Sequence, residues 1–263
     1  MSDGFNKLAE GTGKILETMP ELYDDAIKPS AQEWGKTAAL VPQTINAALV
    51  PLRQWIAQRE YNLAETEKLI AEKMANVSAE KIITPEPYVA IPAIQAISYC
   101  MNNEELRNLY ANLLSKSMNI DTKNSVHPAF VEIIKQLSPM DTNIFNSSYT
   151  CVIKPLIDLE IIFPKNDGGG SKIAFNNLSW ITKYSFEKVS ISIDNLSRLK
   201  LISISNHWYI NDEHYMLVKN SSAYKMCHSA LTKALKPGQE INEIKKVLDV
   251  TEFGKQFYKI CAI

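Results

Sequence analysis

The stretch KVSISIDNLSRLKLISI, residues 188–204, is the part of the sequence on which the fold turns. Its first part places Ile191, Ile193, Leu196 and Leu199 at spacings that predict a helix over residues 188–200 with these side chains partly inward. Its end, residues 201–204, is a short apolar run that reads as a strand. Beyond it, WYINDEHYMLV at 208–218 reads as a strand-like, hairpin-like stretch, and TEFGKQFYKICAI at 251–263 closes the chain as an amphipathic helix. Short helix, strand, hairpin and closing helix in that order predict a winged helix-turn-helix. Before it, KNDGGGSK at 165–172 reads as a turn between strands. No G-x-x-x-x-G-K-[ST] pattern surrounds the three glycines, so they are not a phosphate cradle.

Working back from this module, Ser138, Pro139 and Asp141 form an N-cap, a first-turn proline and an acidic third residue, the signature of a helix start. We place a domain boundary there: a helical domain over 1–136 and an α+β, winged-helix-like domain over 137–263. The fold class expected is mainly α. Within the first domain, Pro20 and Pro29 break the first 35 residues into short helices. Residues 40–56 carry a broad apolar stripe, and 53–74 form a helix with Leu63, Ile70 and Met74 on one side. The prolines of PEPYVAIP, Pro85, Pro87 and Pro92, predict an ordered crossing segment that leads into a helix bearing Ile91, Ile94, Ile97 and Met101. Asn103 caps the next helix, with Glu104 and Glu105 in its first turn and Leu106, Leu109, Tyr110, Leu113 and Leu114 inward. Pro128 opens another, facing Phe130, Val131, Ile133, Ile134 and Leu137 to the core.

The bulk properties narrow the function. With 46% hydrophobic and 22% charged residues the chain has ordinary globular composition. Its 28 basic and 29 acidic residues give a net charge of -1, so binding to nucleic acid or an anionic membrane needs a local patch. The first residues lack the basic and apolar segments of a secretory signal, which predicts a cytoplasmic protein. Cys100, Cys151, Cys227 and Cys261 make no C-x-x-C pair, as expected of free thiols in a reducing compartment.

No catalytic motif is recognisable. GTGK at 11–14 is followed by Ile15 rather than Ser or Thr, which removes the nucleotide-binding reading. His127, His207, His214 and His228, even with Cys227 beside His228, have no metal-ligand spacing. A non-enzymatic protein without metal or cofactor is expected. If the 188–200 helix reads DNA, Ser192, Asn195, Arg198 and Lys200 are the side chains to do it, although Asp194 opposes the phosphates.

One longer pattern stands out. The run over 49–139 contains REYNLAETEKL, PEPYVAIPAIQAISY, EELRNLYANLLSKSMN and HPAFVEIIKQLSP, and it resembles the Abi-alpha (abortive infection alpha) family of bacteria. The resemblance implies a part in abortive infection, in which a bacterial cell limits phage propagation by arresting or killing itself. It transfers no catalytic residues. Among the matching motifs, Glu86, Tyr88, Arg107, Asn112, His127 and Glu132 are the polar candidates for binding a partner, against the plainer reading that they cap and join helices. The expected partner is a phage or host protein. DNA, a membrane surface reached through 40–56, and a second copy of the chain in a homodimer are the other candidates.

Overall fold

The computed structural model describes residues 60–97, 103–206, 209 and 211–263. The stripe at 40–56, the first 35 residues, Cys100, Met101 and His207 lie outside the described residues. What is described divides between two compact units, one ending at Gln136 and taking in Ile260–Ile263, the other Leu137–Lys259.

The first unit is helical. α1 (Glu60–Met74) buries Thr66, Ile70 and Met74, spaced four apart, and packs on α3. α2 spans Pro87–Ile97, α3 Glu104–Ser117 and α4 Ala129–Lys135. The helix expected to follow the proline-rich crossing segment starts earlier than its pattern suggests, at Pro87 itself, and runs through Pro92. Proline is tolerated in a first turn, but at Pro92 the missing N–H costs the helix one internal hydrogen bond. Burial of Val89, Ala90, Ala93, Ile94, Ala96 and Ile97 offsets that loss, since each large side chain among them contributes about 1.5–3 kcal/mol. The Asn103 cap forms as expected: its side chain accepts from Leu106 N at 2.9 Å, and Leu109, Tyr110, Leu113 and Leu114 face inward. The crossing segment itself is tied down by Ile83 N donating to Met118 O at 2.8 Å and Ile120 N donating to Lys81 O at 3.0 Å.

The second unit is α+β. α5 (Pro139–Thr150) starts at a complete capping box between Ser138 and Asp141. Then follow β1 (Pro155–Ile162), β2 (Ser171–Ser179), α6 (Phe186–Arg198), β3 (Ile202–Ser205), α7 (Met216–Lys219), α8 (Ser222–Ala234), β4 (Glu240–Val250) and α9 (Glu252–Phe257). α9 continues as a π-helical turn, Tyr258–Ala262. The four strands make one antiparallel sheet in the order β2-β1-β4-β3. Gly168, Gly169 and Gly170, all at positive φ, turn the β1–β2 hairpin. On one face of the sheet Ile157, Leu159 and Leu178 meet Tyr215, Val218, Tyr224, Cys227 and Leu231 from the segment 215–231. The alternate residues of β1 and β4, among them Leu156, Asp158 and Lys246, look to the other face, where Asp194 of α6 reaches Asn177.

The hairpin expected over 208–218 does not form among the described residues. Among its described residues, Asp212–Tyr215 is a 3-10 turn and Met216–Lys219 an α-helical one. Asn211 starts the turn by accepting from Glu213 N at 2.9 Å, and fully buried Tyr215 anchors it against the sheet. A short apolar run such as Tyr215–Val218 fits a helical turn as well as a strand. β3 pairs instead with β4, Ile202 opposite Val250, across a connection filled by α7 and α8. The unit is thus a mixed α+β layer structure, without the hairpin on which the winged-helix expectation rested. Ile191, expected partly inward, is 68% exposed; α6 buries Val189, Ser190, Ser192, Ile193 and Leu196. No helix among the described residues is long and apolar enough to cross a membrane.

Candidate functional site

The six partner-binding candidates of the helical unit separate into surface and interior. Glu86 is exposed just ahead of α2, and Tyr88 in its first turn leaves 59% of its surface in solvent. His127 and Glu132 are exposed at and on α4, which packs on α2. Glu132 pairs with Lys135 at 2.7 Å, and His127 Nδ1 accepts from Ala129 N at 3.1 Å, closing the turn before α4. Arg107 is half-buried on α3. Asn112 is interior: 5% exposed, it donates through Nδ2 to the carbonyl of Cys261 at 2.7 Å and so holds the chain's last residues to α3. Glu86, Tyr88, His127 and Glu132 thus lie at the surface, and Asn112 has a structural task.

The DNA-reading candidates scatter more widely. Ser192 is 1% exposed inside the unit. Asn195 donates to Asp141 Oδ2 at 3.1 Å and accepts from Arg198 Nη2 at 2.7 Å. Arg198 and Lys200 are exposed, Lys200 at φ 61 where α6 turns into β3.

Two polar clusters of the sheet unit were not legible as sites. In the first, buried Asp158 receives Lys246 Nζ at 2.7 Å and Asn177 N at 2.8 Å. Asn177 stands at φ 53, where Asn176 and Asn177 together oppose Asp158 and bulge β2. Its Oδ1 accepts from Lys246 at 3.1 Å, and its Nδ2 donates to exposed Asp194 at 2.8 Å. With every member partnered and Asp158 only 4% exposed, the chain of contacts fixes register rather than presenting a reacting atom. A charge inside the apolar run PLIDLEII is the one sequence signal for it.

In the second cluster, on the opposite face, Glu243 accepts from Tyr224 OH and pairs with Lys219 at 2.5 Å. Burial pushes the Glu243 carboxyl upward, yet the hydrogen bonds from Lys219 and Tyr224 together hold it below its ordinary value. Burial, and then the carboxylate it serves, push the Tyr224 phenol well up. The His228 ring stacks on Tyr224 at 5.7 Å, and His214 meets Tyr209 edge-on at 5.0 Å. Next to Tyr224, burial and the charge of Glu187 push the Cys227 thiol up to about 11, and burial alone pushes up Cys261. Both thiols are protonated near neutrality, which withholds the nucleophilic thiolate. Among the described residues no three His, Cys, Asp or Glu side chains come together as a metal-ligand set.

A family model described as abortive infection alpha matches residues 58–261. Neither a curated protein nor a solved structure matches the chain.

Proposed function

We infer, because the chain belongs to the abortive infection alpha family, that it is a bacterial, cytoplasmic antiphage protein that acts by binding a phage or host protein. Membership suggests abortive-infection defence; the binding mode is our reading. The observation that carries it is Tyr88, an aromatic 59% exposed beside exposed Glu86 on a segment that is otherwise packed. Tyrosine is enriched in interface hot spots, where a rigid ring gains contact area at small entropic cost. His127, just before α4, and Glu132, on it, supply polar contacts. A DNA-binding role has less support: with Ser192 interior, Arg198 and Lys200 are left to make phosphate contacts, and groove binding rests on several.

The test compares plaque formation and culture survival at low and high phage dose for the parent chain, Tyr88→Ala and a Glu86→Lys/Tyr88→Ala pair. Exposed positions tolerate these changes, so expression and unfolding should match the parent. The expected result is protection by the parent, its loss in the pair, and recovery of a specific protein from infected cells with the parent alone. Full protection by the pair overturns the reading.

A further inference from the structure

Between Met216 and Gln239 the sequence contains no acidic residue, while it contains Lys219, Lys225, Lys233 and Lys236. Lys219 is taken up by Glu243. Lys225, Lys233 and Lys236 are exposed and enter none of the ion pairs among the described residues. α8 buries Tyr224, Cys227 and Leu231, so helical spacing carries Ser222, Met226, Ser229 and Lys233 along its outer side, with Lys225 flanking them. Met226 is 57% exposed, and α7, which packs beside α8, leaves Met216 46% and Leu217 52% exposed. Exposed apolar tips and lysines without an ion pair among the described residues therefore share one segment that has no acidic residue, in a chain whose net charge is -1.

We propose that α7 and α8 form a peripheral docking surface for an anionic phospholipid membrane. The lysines match the headgroup charge over distances within a Debye length, which is why the charge of the whole chain does not oppose them. Methionine and leucine side chains lose their water when they enter the boundary between headgroups and acyl chains. A single-stranded nucleic acid would call for aromatic or arginine stacking partners, and the exposed set on α7 and α8 offers neither. This surface lies in the sheet unit and is independent of the partner reading placed on Glu86 and Tyr88.

The experiment is co-sedimentation of the full chain with vesicles of equal parts phosphatidylcholine and phosphatidylglycerol, against vesicles of phosphatidylcholine alone. The parent should bind the first and not the second, and release at about 0.5 M salt. Changing Lys225, Lys233 and Lys236 together to Glu should lower affinity by about a hundredfold, and Leu217→Ser with Met226→Ser by about tenfold. Lys→Arg at the same three positions should retain binding. Circular dichroism and unfolding unchanged from the parent establish that each variant is folded. Equal binding to both vesicle types, binding undiminished in the Glu variant, or retention on duplex DNA without vesicle binding overturns the proposal.

Discussion

In the helical unit, buried Ser115 and Ser117 donate their hydroxyl protons to carbonyls three residues back, at 2.9 and 2.7 Å. In the sheet unit, buried Asp158 accepts from a backbone 19 residues away, and the Asn177 side chain that completes its cluster takes Lys246 from 69 residues away. The contrast follows from the two kinds of secondary structure. A helix closes its hydrogen bonds within one turn, so a polar residue on its inner face finds a partner nearby. A strand has its partners on other strands, so a polar residue there is stable only once the whole sheet is assembled.

The largest effect should come from Asp158→Ala, which leaves Lys246 half of a buried pair. About 3–5 kcal/mol of stability should be lost, read from the denaturant midpoint, whereas Asp158→Leu with Lys246→Leu should lose far less. Equal losses would show that the pair's geometry, not the uncompensated charge, sets the cost. Asn112→Ala tests the helical unit's one long-range bond among these cases. It leaves the buried Cys261 carbonyl without that donor and should cost about 1–3 kcal/mol, and limited proteolysis should then remove the last residues faster than in the parent. Ser138→Ala breaks a local partnership inside the sheet unit and should cost about 1 kcal/mol in thermal unfolding. A loss as large as that of Asp158→Ala would dissolve the distinction between local and distant partners.

The smallest effect concerns pH. The folded pKa of Glu243 lies below its ordinary value, so its contribution is fully present above the unfolded pKa of 4.5 and is lost as pH falls through the folded one. Between about pH 6 and pH 3 the parent should therefore lose more stability than Glu243→Gln does. Parallel losses in calorimetry would show that Lys219 and Tyr224 do not favour the ionised carboxylate.

Of the candidate site, the sequence made the exposed residues Glu86 and Tyr88 visible through the motif that contains them, but it could not separate them from interior Asn112. Whether a polar residue on a helix faces solvent or a carbonyl 149 residues away depends on what packs there. Asp158, Asn177 and Lys246 stayed hidden because no spacing in the chain encodes a cross-strand cluster. The lysines of α8 were in plain sight but lacked meaning until Tyr224, Cys227 and Leu231 defined which side of the helix is covered.

By itself the sequence determined the helix starts at Asn103 and Ser138, the glycine turn at 168–170, a closing helix within 251–263 and the membership of a family. Each depends on residues within a few positions of one another, or on a pattern read along the chain. Only the tertiary structure decided that 212–219 turns helical, that β3 finds its partner in β4 and that Pro92 sits inside a helix. In these places burial of Tyr215, of the central strands and of the α2 stripe outweighs local preference, and burial is a property of the assembled core.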